Sequence, residues 1–153
     1  MEAVTLREAR PEEGSAIAEL VKALPQWFTP DVVEKAPADA AWFPTMVAVD
    51  AEGSVIGALV WKIEGTEAEI EWLMVAPALH RQGLGKRMVA DLVARLRGSG
   101  VMRLIVATLA ATIECEPYAR TRAFYEAMGF VLEHVEPAGW PDGTDKATYA
   151  MAL

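Results

Sequence analysis

The sequence predicts a mixed α/β fold, a β-sheet with helices packed on its faces. Three observations predict it. Strand-like and helix-like segments follow one another as strand, helix, hairpin strands, then strand–helix–strand twice over. The connections spanning Glu67–Thr108 and Arg103–Val135 have the length of right-handed crossovers. Leu84–Arg97 places Leu84, Met88, Val89, Leu92, Val93 and Leu96 at helical spacing, the stripe of a helix lying on a sheet. A chain of 153 residues fits one domain, 1–153, and at this length roughly 70% of the unfolded surface can be buried.

Val4–Ala9 reads as a first strand. Arg10-Pro11-Glu12-Glu13 starts a helix, since proline suits a first turn and acidic residues suit the positive end of the dipole. Ile17, Leu20, Val21 and Leu24 continue it until Pro25. Four prolines from Pro25 to Pro44 break up the next stretch, where only Asp31–Lys35 is expected to be helical. Met46–Val49 and Val55–Ile63 read as strands joined by the turn Asp50–Ser54, and Glu67–Val75 as a third strand ended before Pro77. After Leu84–Arg97 comes Gly98-Ser99-Gly100, a helix stop. Arg103–Thr108 is a buried-type strand, Arg120–Met128 a helix closed by Gly129, and Phe130–Val135 and Lys146–Leu153 the last strands.

Hydrophobic residues make up 53% of the chain and charged residues 24%, the balance of a folded globule. The net charge of −8 repels phosphate backbones and anionic lipid, so neither nucleic acid nor a membrane is expected as a partner, whereas a cationic amine is compatible. One cysteine, Cys115, excludes a disulfide framework and a cysteine zinc cluster; His80 and His134 show no ligand spacing, so no metal is expected. No signal-like start and no apolar run of membrane length is seen, and a cytoplasmic location is the expectation.

The densest signal is Val75-Ala76-Pro77-Ala78-Leu79-His80-Arg81-Gln82-Gly83-Leu84-Gly85-Lys86: a strand end, a short loop, and two glycines where a helix begins. N–H groups at a helix start face whatever docks there, and the dipole favours an anion. Glycines 83 and 85 let an oxygen approach the main chain, and Arg81, Lys86 and Arg87 reverse the sign of an otherwise acidic protein. A Walker loop is excluded by the spacing and by Arg87 after Lys86, and a dinucleotide fingerprint by Met88 where its third glycine belongs. Glu67, Glu69 and Glu71 alternate along a strand and so share one face, which is also how a solvated strand face looks.

The segment from Glu69 to Pro77, the HRQGLGK loop and the following helix resemble the cofactor motif of the GNAT superfamily of N-acetyltransferases. A second block, Thr121-Arg122-Ala123-Phe124-Tyr125-Glu126-Ala127-Met128-Gly129-Phe130, resembles that family's helix-and-GF signature. His80 stands where the family usually has Arg or Gln, Tyr118 where many members have asparagine, and Thr121 where alanine is usual. The resemblance implies a mostly antiparallel sheet of about six to seven strands with helices on both faces, and acetyl-CoA as cosubstrate with no metal. Cofactor contacts would come from Met74, Val75, His80, Arg81, Gln82, Gly83, Leu84, Gly85 and Lys86. The N–H of Val75 would meet the thioester carbonyl.

It further implies direct attack by a primary amine of a small molecule, a peptide N-terminus or a lysine. Glu69 or Glu71 would take the proton, through a water, and Tyr125 would protonate the leaving thiolate. Trp27, Phe28, Trp72 and Trp140 are candidates for the acceptor pocket, though tryptophans at such positions also serve as plain core. A homodimer and a catalytically inactive acyl-CoA-binding module stay open as alternatives at this point.

Overall fold

The structure, a computed structural model, describes residues 3–153. Its strands are β1 (Thr5–Glu8), β2 (Thr45–Val49), β3 (Val55–Glu64), β4 (Glu67–Val75), β5 (Arg103–Leu109), β6 (Val131–Glu136) and β7 (Lys146–Ala152). Its helices are α1 (Gly14–Lys22), α2 (Val32–Trp42), α3 (Leu84–Leu96) and α4 (Glu116–Ala127), with short 3-10 turns at Pro11–Glu13 and Pro77–Leu79. The seven strands form one sheet in the order β1-β2-β3-β4-β5-β7-β6. The pairs β1/β2, β2/β3, β5/β7 and β6/β7 are antiparallel, as a hairpin-rich order requires. Two compact units make up the chain: Met1–Lys62 with Ile70–Arg95, and Ile63–Glu69 with Leu96–Leu153. Among the described residues no helix is long and apolar enough to cross a membrane.

In the first unit, Ile17, Leu20, Val21 and Leu24 bury the stripe of α1 and its end against Val47, Val49, Ala58 and Met74 of the strands. The helix α2 is longer than the sequence suggests, running straight through Pro37. Proline in a helix interior removes a hydrogen bond and costs about 3 kcal/mol. Alanines at 36, 38, 40 and 41 favour the helix, and Val32 and Ala36 are buried in the same core as α1, so packing outweighs the lost bond. Gly57 on β3 lies under α3: a Cβ there would come within 3.0 Å of Met88 Sδ and 3.3 Å of the Met74 carbonyl oxygen. That close approach seats the helix that follows the glycine loop.

In the second unit, β7 pairs with β5 from Arg103 opposite Ala152 to Leu109 opposite Lys146, and with β6 on its other side. A register shift between Leu132 and His134 leaves Glu133 without a partner in the ladder. Its carboxylate takes both terminal nitrogens of Arg103, at 2.6 and 2.7 Å. The helix α4 begins four residues before the expected Arg120, because Cys115 is extended and Pro117 fits the first turn. It ends where Gly129 adopts φ 103°, which lets the Phe130 N–H turn back onto the Tyr125 carbonyl at 3.0 Å.

Gly57→Val tests the seat of α3. Its larger side chain has no room between Met88 and the Met74 carbonyl, so stability should fall by about 1–3 kcal/mol in denaturant unfolding. An unchanged midpoint would mean that α3 can lift without cost.

Candidate active site

The glycine loop leaves β4 through Ala76, whose N–H donates to the Ile56 carbonyl at 2.9 Å, and makes one 3-10 turn. Two residues then adopt left-handed backbone, Arg81 at φ 65° and Gly83 at φ 84°. The first bond into α3 runs from the Arg87 N–H to the Gly83 carbonyl at 3.0 Å. Helical geometry gives the N–H groups of Leu84, Gly85 and Lys86 no acceptor inside the helix. N–H groups without an intrahelical acceptor at a helix start, together with the helix dipole, favour an anion. Leu84 is buried and anchors the helix end, while Arg81, Gln82, Gly83, Lys86 and Arg87 are exposed. A Cβ built on Gly83 would meet no atom within 4 Å, so the loop is open to a ligand there. These features fit a diphosphate.

Upstream, Met74 is fully buried, so only its main chain can serve a cofactor, whereas Val75 is half-buried. The His80 side chain is engaged with the strand end: Nε2 lies 2.8 Å from the Val75 carbonyl oxygen. Its ring meets Trp27 edge-on at 5.3 Å.

The alternation of β4 holds, with Ala68, Ile70 and Met74 buried and Glu67, Glu69 and Glu71 on the opposite face. The three glutamates differ in their partners. Glu67 receives Arg103 Nε at 2.7 Å and belongs to the Arg103–Glu133 network. Glu71 Oε1 lies 3.1 Å from Lys62 Nζ, close enough for charge attraction but off line for a directed hydrogen bond, and this buried oxygen has none. Glu69 lies between them, half-buried.

On the other face of β4, Trp72 donates its indole N–H to Asp39 Oδ2 at 2.7 Å and meets Phe28 edge-on at 5.9 Å. Trp27, Phe28 and Trp72 are partly buried against the first unit's core. Thus three of the four aromatic candidates line one region, with Asp39 as a polar member that no sequence pattern announced. Trp140 belongs to the second unit, donating to the Thr108 carbonyl at 3.3 Å with Lys146 Nζ 5.2 Å from its ring centre. Asp142 and Asp145 there accept bonds from Thr144, Thr112 and the Ala138 N–H, as turn residues do.

Tyr125 of α4 is 4% exposed, its ring between Phe124 and Phe130 at 5.1 and 5.3 Å. Burial pushes its phenol well above the usual value, and Tyr118 adds to the rise. Tyr118, seven residues earlier and so on the same helix face, is pushed up to about 12, again chiefly by burial. Neither carries charge near neutral pH. Cys115 is half-buried at the start of α4.

The seven-stranded sheet and the match to a family of known acetyltransferases together define the class of protein, an acetyltransferase. The family model for the GNAT acetyltransferases matches residues 9–130, and the chain belongs to that family. It is an acetyl-CoA-dependent N-acetyltransferase. Among solved structures, a GNAT-family protein from Desulfovibrio desulfuricans is similar at 26% identity and TM-score 0.85, covering 98% of this chain and 99% of that one. The ribosomal-protein-S18-alanine N-acetyltransferase of Escherichia coli shares the fold at 19% identity and TM-score 0.79, over 98% and 94% of the two chains. So does a GNAT acetyltransferase of Elizabethkingia anophelis with acetyl-CoA bound, at 16% identity and TM-score 0.75 over all of both chains. No curated protein matches the sequence.

Gly83→Ala separates backbone from bulk in the glycine loop. The added methyl meets nothing, so its whole effect is the left-handed strain, about 1–2 kcal/mol. Weaker acetyl-CoA binding in calorimetry, with a small drop in melting temperature, is the expected result; unaltered binding would show that Gly83 need not be left-handed.

Proposed function

We propose that this enzyme transfers an acetyl group from acetyl-CoA to a primary amine by direct attack, with residues 1–153 acting as one catalytic domain. The observation that carries the reading is the left-handed backbone at Arg81 and Gly83 ahead of α3, soon after the strand that ends in Val75, where the first helical N–H groups have no acceptor inside the helix. When bound, acetyl-CoA supplies the activated carbonyl: a C–N bond to the amine forms there as the C–S bond breaks. The main-chain N–H groups of Gly83 to Lys86 would hold the diphosphate, with Arg81 and Lys86 adding charge. The Val75 N–H would stabilise negative charge on the carbonyl oxygen.

The attacking amine must first lose a proton, since an alkylammonium has a pKa of about 10.4. Glu69 is the proposed base, acting through a water. It stands half-buried on β4, on the face it shares with Glu67 and Glu71 and six residues before Val75. Tyr125 is the proposed acid that returns a proton to the thiolate; its burial favours the protonated phenol. The half-buried Trp27, Phe28 and Trp72, with Asp39 behind them, are the proposed acceptor wall of the first unit. Apolar rings with one carboxylate suit an amine carried on an apolar body, as in a small molecule, a lysine side chain or a peptide N-terminus.

Calorimetry with acetyl-CoA, followed by thiol release with a panel of primary amines, tests the reading. Uptake of acetyl-CoA without release of thiol from any amine would leave a binder and remove the transfer. Tyr125→Phe should lower kcat by about 100-fold or more while acetyl-CoA affinity changes little; a parallel loss of both would refute the acid role. Glu69→Gln should abolish the rise of rate with pH, whereas Glu71→Gln should leave its shape intact. The reverse pattern would transfer the base role to Glu71.

A further inference from the structure

If main-chain donors hold the diphosphate, the His80 side chain has no duty there, yet both its edges are engaged. Nε2 lies 2.8 Å from the Val75 carbonyl oxygen, and the ring packs at 86° against Trp27. A carbonyl only accepts, so Nε2 carries the proton. The Val75 carbonyl shares a rigid peptide plane with the Ala76 N–H, which donates to the Ile56 carbonyl on β3 at 2.9 Å. That plane is therefore pinned from both sides, by β3 and by His80, at the point where β4 gives way to the glycine loop. Trp27 stands next to Phe28, which touches Trp72 of the proposed acceptor wall.

We infer that His80 is a positioning residue coupling the two substrates: it fixes the end of β4 for acetyl-CoA and ties that end to Trp27 in the acceptor wall. The inference rests on the function proposed above. Its consequence is reciprocal linkage, because an acceptor that orders Trp27 strengthens acetyl-CoA binding by the same factor that acetyl-CoA strengthens the acceptor's. The two contacts of one ring are separable by substitution. Glutamine keeps an N–H donor near the place of Nε2 but has no ring; phenylalanine keeps the ring and has no donor; alanine has neither.

The test is calorimetric titration of the full chain with acetyl-CoA. Loss of one hydrogen bond corresponds to about fivefold in affinity. His80→Phe and His80→Ala should bind acetyl-CoA about five- to tenfold more weakly, with His80→Gln, which keeps the donor and loses the ring, recovering only to the affinity of Trp27→Leu. Trp27→Leu should weaken binding in the wild-type background and have no effect in His80→Ala. Equal affinities across the three His80 variants, or an undiminished Trp27→Leu effect in His80→Ala, would overturn the inference while leaving the function standing. Failure of the wild-type chain to take up acetyl-CoA would remove both. Should the His80 variants fail to fold, nitrogen NMR of wild-type His80 decides: a protonated Nε2 supports the bond and a bare one refutes it.

Discussion

A helix can present main-chain donors to a ligand only if the chain enters it without using them. That constraint is met here by two left-handed residues, Arg81 and Gly83, which turn the loop so that hydrogen bonding into α3 starts with the Arg87 N–H. Glycine adopts that conformation freely, whereas arginine does so at a cost of about 1–2 kcal/mol. Strain of that size persists only where the surroundings over-determine it. They do so on both sides. Leu84, Met88 and Val89 are buried and hold the helix end, and Ala76 and His80 are bonded to β3 and β4. Packing thus holds both ends of the loop, and Gly57 beneath α3 belongs to the same packing.

Most of the fold was legible because its elements have a clean period. The bounds of β4 were read correctly, and α3 within one residue, since alternation and a 3.6-residue stripe are properties of the residues themselves. Two helices were read too short. Pro37 in α2 and Pro117 in α4 are local signals against helix; in α2 burial of Val32 and Ala36 overrides the signal, and in α4 proline merely occupies a first turn. The left-handed turn at Gly83 was legible from the glycine, whereas that at Arg81 was not. The His80–Val75 and Trp72–Asp39 bonds were not, since a side chain's choice of partner leaves no periodic trace. Nor did the alternation announce the partners of Glu67 and Glu71: Arg103 and Lys62 are brought alongside by folding.

Burial of Tyr125 looks at first like an obstacle to its proposed work as an acid. An ordinary phenol has a pKa near 10 and an ordinary thiol near 8.5, so handing the proton to a thiolate is already uphill by about 2 kcal/mol. Burial raises the phenol further. Desolvation, however, penalises whichever group holds the negative charge, and a thiolate set beside a buried phenol loses water too. Its proton affinity rises with that of Tyr125, and the gap between them need not widen. What burial does change is the strength of a hydrogen bond from the phenol to charge building on sulfur, which grows as the local dielectric falls. In its proposed role the phenol would therefore act most strongly while the C–S bond is breaking, before any proton has fully moved. Phe124 and Phe130, packed on the Tyr125 ring, supply the water-poor surroundings that such a role would need.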